Sequence, residues 1–113
     1  MPSVKDIMTK EVVTIEANKT VFEAAELMSN RGIGCLIVVI KAFPVGIITE
    51  RDIVRRIVAK HSSLDSKVTE VMTKTLITVA PDTSLREAAR VMSGNKMYPV
   101  TVRAISLNVE GAP

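Results

Sequence analysis

Residues 4–38, VKDIMTKEVVTIEANKTVFEAAELMSNRGIGCLIV, and residues 68–102, VTEVMTKTLITVAPDTSLREAARVMSGNKMYPVTV, are one pattern written twice. The copies lie 64 residues apart and align without a gap, and 11 of the 35 pairs are identical, among them Met8-Thr9-Lys10 with Met72-Thr73-Lys74 and Glu23-Ala24-Ala25 with Glu87-Ala88-Ala89. Other pairs keep chemical type, such as Ile7 with Val71, Val13 with Ile77 and Thr20 with Ser84. A repeat of this kind is one supersecondary unit copied in tandem, because neither copy alone covers its apolar face. Two copies imply two half-domains related by a pseudo-twofold with a cleft between them. That arrangement suits a paired binding module better than a catalyst.

Outward from the repeat, hydropathy periodicity supplies the elements. Val4 to Met8 is a short apolar lead-in able to form a helical turn, and Val12 to Ile15 is rich in β-branched residues, as a short strand requires. Thr20 with Glu23, and Ser84 with Glu87, have the spacing of a capping box that opens a helix. Val21, Ala24, Ala25 and Met28 then recur at helical spacing, as do Leu85, Ala88, Ala89 and Met92. Gly32 and Gly34 end the first helix. Cys35 to Ile40 is wholly apolar and reads as a buried strand, followed by a turn near Lys41 to Pro44 and a second strand from Val45 to Thr49. Arg51 to His61 reads as a helix with Ile53, Val54, Ile57 and Val58 on one face. The predicted class is α/β (α+β), with residues 1–62 as the first β-α-β-β-α repeat, 63–67 as a polar linker and 68–113 as the second. Residues 103–109 alternate as a partner strand would, and the helix equivalent to residues 51–61 is missing from the second copy.

The chain has 113 residues, 47% of them hydrophobic and only three aromatic, so its core must be aliphatic. Cys35 is the single cysteine, which excludes an internal disulfide and a cysteine metal cluster. His61 has no second ligand at metal spacing and reads as a surface or C-cap residue. The most apolar stretch, residues 33–48, is 16 long and interrupted by Lys41 and Pro44. A membrane helix needs about 20 apolar residues, so a buried hairpin is the better reading and a membrane role is not expected. No secretory signal is visible, and a reducing cytoplasm is expected. The net charge of +3 fits a small anionic ligand and gives only weak support to nucleic acid.

The repeat, the paired Asp6-Ile7-Met8-Thr9 and Glu70-Val71-Met72-Thr73, and the segment Gly46-Ile47-Ile48-Thr49-Glu50-Arg51-Asp52 together resemble a cystathionine-β-synthase (CBS) domain pair, or Bateman module. The resemblance covers the first copy throughout and the second to about Val102. It implies a regulatory module without chemistry of its own, which binds AMP, ADP, ATP or S-adenosylmethionine in the cleft between repeats. It also implies homodimers and a separate effector protein, and no resident cofactor or metal. With the Asp-containing motif in one copy only, at most one nucleotide per chain is expected.

By that resemblance Asp52 accepts hydrogen bonds from the ribose hydroxyls, for which a carboxylate is a matched bidentate acceptor. Thr49 contacts phosphate, and Arg51 adds charge to it. Val13, Thr14 and Ile15 supply one wall for adenine, Ile33, Gly34, Cys35 and Leu36 another, Ile47 the floor, and Tyr98 with Pro99 lies beside the ligand. Each has a plainer alternative. Thr49 and Asp52 also have capping-box spacing, Arg51 reads more simply as a solvated arginine, and the apolar residues more simply as core. Two other functions stay open: a dimerisation module whose ligand site has decayed, and a nucleic-acid binder resting on Arg55, Arg56 and Lys60. The latter lacks aromatic stacking platforms. No nucleophile–base pair, P-loop or paired carboxylate supports an enzyme.

Overall fold

The computed structural model describes residues 2–6, 12–74 and 78–94, and the backbone of 101–102. The chain divides into two compact units, one of Glu11–Leu76 and one of Met1–Lys10 with Ile77–Pro113. The mixed α/β class expected from the sequence holds in both.

In the unit Glu11–Leu76, strand β1 (Thr14–Glu16) leads into helix α1 (Val21–Arg31), then β2 (Cys35–Ile40) and β3 (Phe43–Thr49). Helix α2 (Glu50–Ile53) follows and continues as a π turn over Val54–Val58. The sheet order is β1-β2-β3, with β1 parallel and β3 antiparallel to β2. Helix α1 begins where its cap places it: Glu23 N–H donates to Thr20 Oγ1 (3.1 Å), and the Glu23 carboxylate reaches back to the Thr20 N–H (3.3 Å). It ends at Gly32, whose φ of +63° is the left-handed conformation that glycine adopts without steric cost.

The register of the strands sorts their side chains onto two faces. Ile15 pairs with Val38 and Leu36 with Ile48, and these four join Val21, Ala24 and Met28 of α1 with Ile53 and Ile57 in one core. Thr14, Cys35, Ile37, Ile47 and Thr49 take the opposite face by alternation, since Thr14 pairs with Ile37, Ile37 with Ile47, and Cys35 with Thr49. The core also takes in Val68, Val71 and Met72, the lead-in of the second sequence copy. Thr73 of that lead-in bonds Ile47 in both directions, N–H to carbonyl, at 2.9 and 3.0 Å. Gly46 permits this approach: a Cβ there would stand 2.5 Å from Met72 Sδ and 2.9 Å from the Thr73 carbonyl oxygen.

Three elements differ from the sequence reading. The first strand is shifted, to Thr14–Glu16, because the parallel pairing to β2 starts at Thr14. The hairpin turn contracts to Lys41 and Ala42, both with positive φ (49° and 70°), so that β3 starts at Phe43 and a bulge at Val38/Val39 absorbs the added residue. The long helix is broken into α2 and the π turn, with Ala59 N–H bonding Val54 O at 2.8 Å. Only Ile53 and Ile57 of its expected face are buried; Val54 and Val58 are 55% and 61% exposed. A step of one residue turns a helical side chain by about 100°, which carries Val54 and Val58 off the core-facing stripe.

In the other unit, Val4 N–H bonds Thr83 O (2.8 Å), and β4 (Thr78–Val79), α3 (Leu85–Gly94) and β5 (Thr101–Val102) follow. Strand β4 pairs in parallel with β5, Thr78 with Thr101 and Val79 with Val102. Subtracting the repeat offset of 64 gives Thr14 with Ile37 and Ile15 with Val38, which is the register of β1 on β2. Glu87 N–H caps on Ser84 Oγ (3.1 Å), while the Glu87 carboxylate turns to Arg90 (2.6 Å). The expected strand at residues 103–109 lies outside the described residues.

Candidate functional site

The candidate site grows from the end of β3. Thr49 closes that strand and caps α2: its N–H and hydroxyl both donate to Asp52 Oδ2 (3.0 Å each), and Asp52 N–H donates to Thr49 Oγ1 (3.1 Å). The capping alternative is therefore realised in full. The carboxylate is 1% exposed, and an ionised group so placed requires partners of this kind. Its second oxygen, Oδ1, lies 3.9 Å from Arg56 Nε, an ion-pair rather than a hydrogen-bond distance. Arg56 Nη1 meanwhile donates to the carbonyls of Val71 (2.9 Å) and Met72 (3.4 Å). Of the basic residues Arg55, Arg56 and Lys60, then, Arg56 is turned inward to these groups.

The register brings most of the sequence-predicted residues to one end of the three-stranded sheet. That end holds the start of β1, the start of β2 and the close of β3. Cys35 lies beside Thr49, Leu36 beside Ile48, and Val13 O accepts from Ile37 N–H (3.2 Å). Gly34 O accepts from Glu50 N–H (2.9 Å), which joins the Ile33–Leu36 wall to the first turn of α2. Within this end the pleat divides the set. Thr14, Cys35, Ile47 and Thr49 share the face away from the helices, whereas Ile15 and Leu36 belong to the helix-side core, with Val13 and Ile33 packed against it. Val13 and Thr14 also line a groove of about 500 Å³ with Val12, Leu27 and Arg31. Arg51 is exposed on α2. Tyr98 and Pro99 lie outside the described residues.

Burial pushes the Cys35 thiol up from its ordinary value, which makes it a poor nucleophile. His61 is exposed, with a positive φ of 54°, and Ser62 N–H bonds Ile57 O (3.0 Å), so it stands at the helix end as a backbone cap. Among the described residues no cluster of His, Cys, Asp and Glu is arranged to hold a metal ion, and no helix is long and apolar enough to cross a membrane. Sequence reasoning did not find Arg56 as a partner of the site. The i,i+4 spacing from Asp52 was a local signal for it, but its bonds to Val71 and Met72 span 15 and 16 residues and had none.

A second feature lies on the helix side of the same unit. Ala25, Met28, Ile33, Ile53 and Val54 line a largely apolar groove of about 420 Å³.

Comparison with known proteins gives a consistent result. The family model described as "CBS domain" matches residues 4–59 and again 68–108. The CBS domain-containing protein YhcV of Bacillus subtilis is 37% identical over 97 residues, 86% of this chain and 69% of that protein. Of two further curated relatives, 35% and 39% identical, the chain spans about half the length, 52% and 56%. Among solved structures, an uncharacterized conserved protein from Pyrococcus horikoshii superposes with a TM-score of 0.84 at 31% identity, covering 88% of this chain and 76% of that one. The CBS domain pair of protein MJ0100, in complex with 5′-methylthioadenosine and S-adenosylmethionine, superposes with a TM-score of 0.80 at 31% identity, covering 89% and 79%.

Proposed function

The chain belongs to the CBS-domain family, and on that premise we propose that it is a regulatory module binding an adenosine-containing ligand at the Thr49–Asp52 end of the three-stranded sheet. The observation that carries this reading is the Asp52 carboxylate. Oδ2 is fixed by two donors from Thr49, and Oδ1 is held at 3.9 Å from a guanidinium, leaving acceptor capacity for a ribose diol. Thr14, Cys35 and Ile47, on the same face as Thr49, offer an apolar and hydroxyl-bearing bed for adenine. Thr49 and Arg51 are assigned to the phosphate of AMP, ADP or ATP. The complex of the MJ0100 domain pair with two adenosine compounds supports the ligand class. The effect on an effector protein would follow from occupancy, not from chemistry on this chain.

The test is thermal unfolding with AMP, ATP and S-adenosylmethionine. Ligand at tenfold its dissociation constant adds about 1.4 kcal/mol to the stability of a protein that binds it only when folded. The stabilisation is expected in the wild-type chain and lost in Asp52→Ala. No stabilisation by any of the three would leave Thr49 and Asp52 as a helix cap alone.

The apolar groove lined by Val54 favours a second reading, in which the module also serves self-association, since Val54 and Val58 are large exposed apolar side chains. Homodimers through this face should dissociate in the double variant Val54→Glu/Val58→Glu, read by analytical ultracentrifugation. A monomeric wild type would remove this reading and leave the ligand site standing.

A further inference from the structure

We propose that Arg56 is a positioning residue for the ligand contact at Asp52, and that it ties occupancy of that contact to the seating of residues 68–73. The inference rests on the proposed function, because it concerns how the Asp52 carboxylate is presented to a ribose.

A guanidinium is a planar fork, so directing some of its N–H groups fixes the others. In Arg56, Nη1 is fastened to the carbonyls of Val71 and Met72, and this sets Nε facing Asp52 Oδ1. Thr49 holds the carboxylate through Oδ2 from the other side. Asp52 is thus oriented between a local cap and a guanidinium whose own anchor is 15 residues further along the chain. Val71 and Met72 are buried, and a buried carbonyl deprived of its donor is costly.

The anchored segment also closes the free edge of β3. Val68 N–H bonds Lys19 O (2.9 Å), Thr73 pairs with Ile47, and Gly46 lacks the Cβ that would block the approach. Two residues beyond Ile47 stands Thr49, the cap of Asp52. Arg56 and β3 are therefore two separate connections between the carboxylate and the same segment. A ribose diol donating to Oδ1 shares that oxygen with Arg56, and whatever it does to the guanidinium is felt at the Val71 and Met72 carbonyls. The π turn contributes by presenting Arg56 toward the segment while Val54, two residues earlier, stays on the surface.

A direct phosphate contact by Arg56 would be a different role, and two probes separate them. AMP and 5′-methylthioadenosine share the ribose diol, but only AMP carries phosphate. Calorimetric titration of the full chain should show that Arg56→Lys, which keeps the charge and loses the fork, weakens both probes alike, by about tenfold, the effect of roughly one charge-assisted hydrogen bond. Weakening of AMP alone, or of neither probe, overturns the proposal. A measurement on the wild type needs no variant to fold. Saturation with 5′-methylthioadenosine should change the hydrogen-exchange rate of the Thr73 amide, which bonds Ile47 O, several-fold more than that of the Ala24 amide inside α1. An equal or absent response at Thr73 overturns the coupling. A wild-type chain that binds neither probe overturns this inference, and one that binds neither probe nor ATP nor S-adenosylmethionine overturns the proposed function with it, whereas binding that ignores Arg56 overturns the inference alone.

Discussion

Gly46 and Gly32 show how one residue type answers two demands. At Gly46 the constraint is space. A methyl group would meet Met72 Sδ at 2.5 Å and the Thr73 carbonyl at 2.9 Å, and the carbonyl is backbone held by the pairing with Ile47. Gly46→Ala should therefore cost about 1–3 kcal/mol, the usual range for overpacking, measured by urea denaturation. The same experiment on Gly32→Ala isolates conformation, since nothing lies within 4 Å of a Cβ there and only its φ of +63° resists the change. A left-handed non-glycine residue costs about 1–2 kcal/mol. The glycine of the Gly46–Asp52 segment was legible in the sequence, but its reason was not, because the atoms it makes room for lie 26 and 27 residues away. The capping pairs Thr20–Glu23 and Thr49–Asp52 were legible because both partners sit within one turn.

At the scale of elements, the β2–β3 hairpin carries an avoidable cost. Its two turn residues, Lys41 and Ala42, both have positive φ, the geometry of a type I′ turn, for which Asn-Gly is preferred. Replacing the pair by Lys41→Asn/Ala42→Gly should stabilise the chain by about 1 kcal/mol, seen as a higher denaturation midpoint with unchanged slope. Helix α1 offers a pH test. Its Glu23 carboxyl is held below the ordinary 4.5 by the Thr20 backbone N–H, with the Thr20 hydroxyl and Lys19 acting in the same direction. A folded value below the unfolded one gives stability that is complete above 4.5 and is lost as pH falls through the lowered folded value. Glu23→Gln, which keeps a neutral capping side chain, should lower the neutral Tm slightly and flatten its fall with acidification below pH 4.5, so that the two proteins converge in acid. The α2 region marks the limit of periodicity. Its apolar spacing announced a helix, but not the break into a π turn with Val54 and Val58 exposed, nor the reach of Arg56 to Val71 and Met72.

For the whole molecule, the repeat written in the sequence and the compact units in space are cut at different points. The lead-in of the second copy, with Val68, Val71 and Met72 buried, belongs to the core of Glu11–Leu76. Burying such side chains contributes about 1.5–3 kcal/mol each. A fragment of residues 11–76 should therefore unfold cooperatively, and one of residues 1–62 should not, by circular dichroism on heating. Cooperative unfolding of the shorter fragment would show that the lead-in is dispensable. What the sequence determined by itself was whatever is encoded locally or by repetition: the α/β class, the helix caps, strand β2, the aliphatic core and the family. The tertiary structure alone decided that the pleat separates Thr14, Cys35, Ile47 and Thr49 from Ile15 and Leu36, that Arg56 faces Asp52, and that Val68–Met72 completes the core around β3. The reason is physical. A cap or a hydrophobic period joins residues a few positions apart, so the chain carries it in plain order, whereas register and burial are settled by which distant segment packs best against a given edge.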